Sequence, residues 1–555
     1  MRNRLSFLPL SCLMVFALAG CGTSSPQSSQ KSDDPFQSVE EQLTPLATQC
    51  TFVAATGLMT VAVAGGETAI ISKRASDSAI LQNGAACDNA VTSSTLKKIA
   101  ITGANASAKT VILDFTNGLF ATGTSSTAST GITVDLGTSV GDTLGIRGTT
   151  GADNFAYGAS GINLNNDAFK DITVTNVENH TVYMGDGADT FTASGGGITG
   201  LAFGAALTVY GGIGNDTFNE GAAASLSETI YGGADTDTVT YTGRTGAVTV
   251  TVGATANDGE SGELDDIKSD VEVVTGGSGN DTMTAATGVA VTFNGGAGND
   301  TLIGDSGNDT LNGEAGNDTL RGAAGNDILN GGDNDDTFDE ETASNGGDTF
   351  NGGLGTDTVD YSARTVALTV TMDGVAANDG ETGENDNVKA DVENIIGSTV
   401  ADNITGNASA NRIKGGLGND ILAGGLGDDT FDEGAATSGL DTISGGAGVD
   451  TVDYSARVAA LTVVLDGVTG SGLSGEGDLL GLDVENVLGG SAADTITGNA
   501  SANELDGNGG IDHLNGLAGD DVIDGGGQAD VIDCGLGDGD IGFGSTVSTT
   551  ACEFN

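Results

Sequence analysis

The stretch that decides the fold runs from Gly295 to Asp339 and reads GGAGNDTLI, GDSGNDTLN, GEAGNDTLR, GAAGNDILN and GGDNDDTFD. Each nine-residue unit begins with Gly, has Asp as its sixth residue and has a large apolar residue as its eighth. Glycine adopts positive φ angles without strain, so the first six residues of a unit can form a tight turn. The other three residues then form a short strand whose middle side chain faces inward. The pattern predicts an all-β chain wound into a parallel β-roll, a β-solenoid of nonapeptide repeats.

The apolar residues of this run predict how the units stack. Two units complete one coil of 18 residues, so consecutive turns lie on opposite edges and each turn stacks on the turn two units later. The inward positions then form one narrow column without any Trp, made of Leu302, Leu311, Leu320, Leu329 and Phe338.

The turns offer oxygen ligands only. Carbonyl groups of a tight turn point to one side, and the sixth-position Asp adds a carboxylate beside them. Stacked turns can therefore close a cage of about six to eight oxygens, which suits calcium better than magnesium or a soft metal. The net charge of −59 agrees, because cations relieve the repulsion between carboxylates. The same charge argues against nucleic acid as a partner.

This nine-residue sequence pattern resembles that of the RTX (repeats-in-toxin, hemolysin-type) family of calcium-binding repeats, which is G-G-x-G-x-D-x-U-x with U large and apolar. The resemblance covers roughly residues 211–540. It implies several calcium ions, bound at the turn glycines Gly295, Gly304, Gly313, Gly322, Gly331, Gly415 and Gly424. It also implies ligands at the sixth-position aspartates Asp216, Asp281, Asp300, Asp309, Asp318, Asp327, Asp336, Asp357, Asp420, Asp429, Asp450, Asp512, Asp521 and Asp530.

Some units depart from the pattern. Those that begin at Gly397, Gly406, Gly489 and Gly498 lack the fourth-position Gly, and two of them have Asn411 and Asn503 in place of Asp. We expect these units to continue the coil and to bind calcium weakly or not at all.

Three longer segments, here called cassettes, separate the runs of nonapeptides. They begin with TVTYTGR at 238–244 and with TVDYSAR at 358–364 and 451–457, and each continues to an Asp-Val-Glu sequence at 270–272, 391–393 or 483–485. We interpret them as longer coils broken by acidic loops. The first predicted region is a β-rich N-terminal domain (50–150), either a cap that continues the solenoid or a small sandwich. The regions that follow are degenerate repeats (151–290), the central β-roll (291–345), two stretches of cassette plus repeats (346–440 and 441–540) and a C-terminal cap (541–555).

The N-terminus carries a targeting signal. Arg2 and Arg4 precede an apolar stretch that ends in Leu-Ala-Gly-Cys at residues 18–21, which resembles the lipobox of bacterial lipoproteins. We expect a signal peptide (1–20), a lipid on Cys21 and a flexible tether (21–49), so that the protein is exported and anchored to the cell envelope at the outer membrane or surface. The toxins and proteases of this family usually leave the cell through a C-terminal signal. The lipobox implies a different export route, so a toxin role is not carried over.

Four further cysteines remain after Cys12 and Cys21: Cys50, Cys87, Cys534 and Cys552. An even number in an exported protein suggests disulfides. Nearness in sequence favours Cys50–Cys87 and Cys534–Cys552, although four cysteines allow three pairings. A zinc site is a weaker interpretation, because no C-x-x-C spacing occurs.

No enzyme is predicted. The zinc-protease motif H-E-x-x-H is absent, and we expect no lipase-type nucleophile elbow. His180 and His513 are predicted to be surface or turn residues, and residues 50–290 show no obvious aromatic and basic cluster. We expect a calcium-binding envelope lipoprotein with a structural or adhesive role, whose partners could include surface glycans or other cells. The alternatives are a glycan-active enzyme of the epimerase or lyase type, and a module that serves only calcium-driven folding or secretion.

Overall fold

The structure is a computed structural model. It describes residues 34–37, 49–76, 78–87, 91–92, 95–105, 107–119, 131–158, 161–164, 170–193, 206–222, 227–254, 257–286, 288–375, 377–537, 539–544 and 552. The signal peptide and Cys21 lie outside these residues. In the part of the chain so described, no helix has the length and apolar character needed to cross a bilayer.

The strands are short and follow one another along the chain. Up to the first cassette they are β1 (Gln49–Val53), β2 (Leu58–Val63), β3 (Thr68–Lys73), β4 (Ile80–Gln82), β5 (Ala85–Ala86), β6 (Lys98–Gly103), β7 (Thr110–Asp114), β8 (Gly131–Asp135), β9 (Thr143–Arg147), β10 (Asn154–Gly158), β11 (Gly161–Asn163), β12 (Ile172–Thr175), β13 (Asn179–Asp186), β14 (Thr190–Thr192), β15 (Ala206–Ile213), β16 (Thr217–Asn219) and β17 (Glu228–Ala234).

From the first cassette to the second they are β18 (Thr238–Thr240), β19 (Val248–Val252), β20 (Gly259–Glu260), β21 (Asp266–Ile267), β22 (Val273–Thr275), β23 (Thr282–Ala285), β24 (Thr292–Ala297), β25 (Thr301–Ile303), β26 (Thr310–Ala315), β27 (Thr319–Arg321), β28 (Ile328–Asp333), β29 (Thr337–Asp339), β30 (Thr349–Leu354), β31 (Thr358–Asp360), β32 (Leu368–Thr371), β33 (Gly380–Glu381), β34 (Asn387–Val388) and β35 (Asn394–Ile396).

The remaining strands are β36 (Asn403–Thr405), β37 (Arg412–Lys414), β38 (Ile421–Leu426), β39 (Thr430–Asp432), β40 (Thr442–Ala447), β41 (Thr451–Asp453), β42 (Leu461–Val464), β43 (Thr469–Leu473), β44 (Asp478–Leu480), β45 (Asn486–Leu488), β46 (Thr495–Thr497), β47 (Glu504–Asp506), β48 (His513–Asn515), β49 (Val522–Asp524), β50 (Val531–Asp533) and β51 (Ile541–Phe543).

The central run forms the coil that the sequence predicts. Alternate strands pair in parallel with a step of 18 residues, so Leu311 of β26 lies beside Leu329 of β28, and Leu302 of β25 lies beside Leu320 of β27. The five predicted inward side chains are fully buried. The fold is therefore an all-β parallel β-roll, and its core is the apolar column of eighth-position residues.

The cassettes replace one wall of the solenoid by another. At the first cassette the nine-stranded sheet ends with β21, and the hairpin β19–β20 begins a 15-stranded sheet. At the second cassette the 16-stranded sheet ends with β34, and the hairpin β32–β33 begins an 11-stranded sheet. The antiparallel hairpin is the extra length that distinguishes a cassette from two nonapeptides.

The N-terminal region belongs to the same sheets as the repeats. Strands β2, β6, β8 and β12 pair in parallel on one wall, and β3, β7, β9 and β13 pair in parallel on the other. Residues 50–150 are thus continuous with the solenoid, which was one of the two forms considered from the sequence. Residues 34–37 lie within the segment expected to be a flexible tether, but Phe36 is buried against Ile70 and Ile112, and Asp34 pairs with Arg147 at 2.8 Å.

Two disulfides lie near the ends of the described chain. Cys50 of β1 pairs with Cys87, with their Cα atoms 5.5 Å apart, and Cys534 pairs with Cys552, with a Cα separation of 5.3 Å. Each bridge therefore connects a terminal coil to a neighbouring segment of the chain.

The prediction for His180 is wrong. Its side chain is 2% exposed because it occupies an inward position of β13, and its ring meets Tyr157 edge to face at 6.1 Å. Burial lowers the pKa of His180 to about 4, so it is a neutral core residue at physiological pH. His513 is exposed at the first position of β48, as predicted.

Candidate calcium sites

The sixth-position carboxylates form ladders along the edges of the solenoid. In each ladder the backbone N–H of one Asp donates to Oδ1 of the Asp in the next coil. The Asp300 N–H thus donates to Asp318 and the Asp318 N–H to Asp336, at 2.7 and 2.8 Å. The opposite edge repeats this arrangement from Asp309 to Asp327. The sequence folds this way because the 18-residue step places each Asp directly above its counterpart.

The second carboxylate oxygen, Oδ2, divides the turns into two classes. We call a turn open where Oδ2 has no hydrogen-bond partner among the described residues. Open turns are those of Asp189, Asp216, Asp237, Asp300, Asp318, Asp327, Asp336, Asp348, Asp357, Asp420, Asp429, Asp450, Asp512, Asp521, Asp530 and Asp540. We call a turn closed where the N–H of its own second residue donates to the sixth-position side chain. Closed turns are those of Asp153, Asp281, Asp309, Asp402, Asn411, Asp494 and Asn503.

The conformation of the second residue accompanies this difference. In nearly all open turns it is left-handed, even where it is not Gly: φ is 74° at Glu314, 65° at Ala323 and 72° at Leu517. In the closed turns the second residue is outside the left-handed region, including Gly277. In several of these turns the N–H of the left-handed residue donates to the side chain two residues before it, as at Asn508, Leu517 and Gly526, and not to the Asp of its own turn. Non-glycine residues adopt this conformation at a cost, which indicates that the surroundings stabilise it.

Position in the ladder determines the class. Each closed turn is the first turn of its ladder. Its Asp Oδ1 accepts the backbone N–H of a residue that does not belong to such a turn. The pairs are Val248 with Asp281, Val291 with Asp309, Leu368 with Asp402 and Leu461 with Asp494. Every open turn follows another turn on the same edge. A first turn has no preceding turn to share an ion with, so its side chain is satisfied by its own backbone.

The open turns have the chemistry of a calcium site. A methyl group built on Gly313 would lie 2.3 Å from Asp318 Oδ2 and 2.5 Å from the carbonyl oxygen of Gly331 in the next coil. A carboxylate and a carbonyl oxygen thus converge beside the first-position Gly, where a side chain has no room. Burial raises the pKa of Asp318 to about 6 and that of Asp327 and Asp336 to about 7. Buried carboxylate oxygens beside carbonyl oxygens offer ligands to a hard cation, and calcium prefers such all-oxygen sets.

The predicted ligands fall into both classes. All the predicted aspartates line turns and are buried, but Asp281 and Asp309 belong to closed turns. For the aspartates of both classes, the role as calcium ligands stays a prediction. Sequence reasoning missed Asp189, Asp237, Asp348 and Asp540, which belong to open turns. Asp237 is the sixth residue of the loose unit GGADTDTVT at Gly232, so the repeat pattern could have identified it. The other three units begin with Met184 or Cys534 or have an irregular turn, so only the spacing from neighbouring strands could have identified them.

Two features of the chain bear on the enzyme question. The sequence G-T-S-V-G does occur at Gly137–Gly141, but it lies in a loop between β8 and β9, and a nucleophile elbow requires a helix after the turn. The Ser139 hydroxyl donates to Asp142 at 2.8 Å and accepts from Lys109 at 2.5 Å. This arrangement is an ion-paired loop contact, with no histidine in it.

The expectation that residues 50–290 lack an aromatic and basic cluster is wrong. Tyr183, Tyr210 and Tyr231 are half-buried and aligned on adjacent strands β13, β15 and β17. The rings of Tyr210 and Tyr231 stack at 4.6 Å, and Lys268 Nζ lies 5.8 Å from the Tyr231 ring centre. The three tyrosines are spaced irregularly in sequence, so only the strand register brings them together.

Comparison with protein families gives one match. The model of the RTX calcium-binding nonapeptide repeat matches residues 269–289, 292–320, 312–339, 342–363, 396–431, 432–456, 481–514 and 506–541. No curated protein matches the chain. The matched segments contain the ladders from Asp281 onward, and the family's repeats bind calcium. The chain therefore carries RTX-type calcium-binding nonapeptide repeats, which the structure winds into a β-roll.

Proposed function

We propose that this protein is an exported structural protein of the cell envelope, anchored by a lipid on Cys21, whose solenoid is kept compact by calcium ions between successive turns. The ladder of buried open carboxylates carries the proposal. Each open turn leaves one buried carboxylate oxygen without a hydrogen-bond partner among the described residues, and the chain has a net charge of −59. Ions that bind the folded form alone stabilise it by mass action.

The experiment that tests this function is a measurement of hydrodynamic radius. We expect the mature protein to be expanded in chelator, because carboxylate repulsion acts against a thin apolar core, and compact in millimolar calcium. Magnesium at the same concentration is the matched control, since it fits such cages poorly. Equal radii in chelator and calcium would exclude calcium as the stabilising ion.

The lipid anchor rests on the sequence of the signal peptide and needs its own test. We expect Cys21→Ser to move the exported protein from the membrane pellet to the soluble fraction, because stable anchoring requires several acyl chains. Cys12→Ser, which changes a cysteine within the signal peptide, is the control and should leave the protein in the pellet. Pelleting of the Cys21→Ser protein in detergent-free buffer would contradict the anchor.

A second candidate function is contact with surface glycans along the tyrosine row. Aligned aromatic rings with a neighbouring cation offer flat apolar faces and polar edges, as sugar rings do. We expect Tyr210→Ala with Tyr231→Ala to reduce binding to a panel of immobilised neutral and uronic-acid polysaccharides. Leu354→Ala, which removes an exposed apolar side chain elsewhere, is the control. Equal binding by both variants and the parent would remove the tyrosine row as the glycan-binding surface.

A further inference from the structure

An acidic cluster is buried where the second cassette meets the coil that precedes it. Glu340, Asp348, Glu384 and Asp386 lie around Arg364, and each of the five side chains is at most 5% exposed. The ladder that starts at Asp309 ends here, because the Asp348 N–H donates to Asp386 Oδ1 at 3.0 Å. The cluster therefore caps a row of turns at the place where one sheet ends and another begins.

Arginine and tyrosine satisfy only part of this cluster. Arg364 donates to Glu340 Oε2 at 2.5 Å and contacts Glu384 Oε1 at 2.9 Å. The Tyr361 hydroxyl donates to Asp386 Oδ2 at 3.1 Å. After these contacts Glu340 Oε1 and Asp348 Oδ2 have no hydrogen-bond partner among the described residues, although both side chains are fully buried. These two oxygens are the independent sign that a ligand is missing from the cluster.

The charges and distances define the ligand. Four buried carboxylates face one guanidinium, and an uncompensated buried charge costs several kcal/mol. Glu340, Glu384 and Asp386 each place one oxygen within 4.8 Å of the others, which is close enough for one ion to bind all three.

We propose that Glu340, Glu384 and Asp386 bind a calcium ion where the second cassette meets the preceding coil, at a site built from side chains beside the last turn of the ladder, that of Asp348. An all-oxygen set with several carboxylates selects a hard cation, and irregular geometry of this kind suits calcium better than magnesium. The ion would fix the hairpin β32–β33 to the preceding coil. This site goes beyond the function proposed above and does not depend on it.

The other cassettes carry copies of this cluster. The same residue types recur as Glu220, Glu228, Arg244, Glu263 and Asp265, and as Glu433, Asp441, Arg457, Glu476 and Asp478. In the third cassette, however, the Ser438 hydroxyl donates to Glu433 Oε2 at 2.7 Å and so satisfies part of the corresponding cluster. Among the described residues, the three-carboxylate geometry that could hold one ion occurs at Glu340, Glu384 and Asp386, and the inference is restricted to the second cassette.

Terbium luminescence tests the site in solution. Terbium replaces calcium at oxygen sites and emits when a nearby tyrosine absorbs light, and Tyr361 contacts the cluster. In the full mature chain we expect Tyr361→Phe to remove one component of the emission and Glu340→Gln to remove the same component. Glu341→Gln is the matched control, since Glu341 is the adjacent, exposed residue. Retention of that component in Glu340→Gln, with its thermal unfolding in calcium unchanged, would overturn the proposal.

Anomalous diffraction from terbium-soaked crystals of the unaltered chain needs no variant. We expect peaks both at the open turns and between Glu340 and Asp386. Peaks at the turns with none at the cluster would overturn this inference and leave the proposed function intact. A peak at the cluster with none at the turns would support the inference and overturn calcium binding by the turns, and absence of all peaks would overturn both.

Discussion

The central run at Gly295–Asp339 and the run that starts at Gly489 wind into the same coil but begin their ladders differently. The later run starts with two closed turns, those of Asp494 and Asn503. The central run has one, that of Asp309 in its second unit, because Asp300 in its first unit follows the turn of Asp281. Asn503 accepts from Asn499 at 2.8 Å and donates to the Glu485 carbonyl at 2.9 Å, so an uncharged amide satisfies the first turn completely. A first turn thus needs hydrogen bonds and no charge.

This difference shows that the neighbouring coils, as well as the sequence of the unit itself, decide whether a turn is open or closed. The unit GDSGNDTLN matches the family pattern well except at its second residue, yet its Asp309 is satisfied by the backbone. The unit GLAGDDVID has a leucine at its second position, yet Leu517 is left-handed and Asp521 keeps a free oxygen. The open turn arises where a preceding turn on the same edge supplies the other half of a cage.

The largest effect should separate Asp318 from Asp309. We expect Asp318→Asn to weaken calcium binding at its site by about tenfold or more, because a charged ligand is lost and ligand charge sets the affinity of calcium sites. Asp309→Asn removes a charge from the same run, but its two oxygens accept backbone N–H groups of Val291 and Asp305. We expect it to lower stability by about 1–3 kcal/mol through one unsatisfied donor and to leave the number of ions unchanged.

Isothermal titration with calcium and thermal unfolding in saturating calcium measure the two effects. Asn503→Ala is a further control, since it alters a closed turn that never had a carboxylate. If Asn503→Ala or Asp309→Asn reduced the calcium stoichiometry as much as Asp318→Asn, the distinction between open and closed turns would fail.

Much of this arrangement could be predicted from the sequence. The nine-residue step and the apolar eighth position predict the parallel strands, the buried column of Leu302 to Phe338 and the two edges, because side-chain periodicity in a strand leaves few alternatives. The closed state of Asp309 could not be predicted, because it depends on Val291, a residue of the preceding coil that has no repeat pattern. Contacts between coils depend on the register of their strands, and the sequence of a single unit does not specify that register.

The cassettes were the hardest part to interpret for the same reason. From the sequence, Tyr361 and Arg364 are interpreted as residues at the end of a strand. Their burial depends on Glu384 and Asp386, which follow about 20 residues later, across a hairpin. A signal was present: the same residue types recur at nearly equal spacing in all three cassettes. Recurrence of a lone buried Arg with several acids would have indicated a packed polar site.

A smaller effect concerns pH and again distinguishes the two classes. Burial raises the pKa of Asp318 to about 6 and that of Asp327 and Asp336 to about 7, above the value of about 3.9 in an unfolded chain. The calcium-free fold therefore binds more protons than the unfolded chain between about pH 4 and pH 7. The stability from these groups is complete below about pH 4 and is lost as the pH rises through 6 to 7.

We therefore expect the melting temperature in chelator to fall as the pH is raised from about 5 to about 8. In saturating calcium the dependence should weaken or reverse, because protons compete with the ion for the same oxygens. Asp318→Asn should flatten the profile in chelator more than Asp309→Asn does. A melting temperature in chelator that increased with pH would show that these carboxylates are ionised and compensated without calcium.

The smallest effect tests the handedness that separates the classes, and it uses two adjacent alanines. Ala323 is the second residue of an open turn with φ of 65°, and Ala324 follows it outside the left-handed region. An L-residue in the left-handed conformation costs about 1–2 kcal/mol, which Gly avoids, whereas Gly elsewhere adds about 0.4–1 kcal/mol of unfolded-state entropy. We expect Ala323→Gly to stabilise the protein in calcium by up to about 1 kcal/mol and Ala324→Gly to destabilise it by a similar amount. Urea unfolding of both variants measures the two free energies. Because each change deletes one methyl group from neighbouring positions, opposite signs can come only from the backbone conformation, and equal signs would mean that the turn of Asp327 is not left-handed in solution.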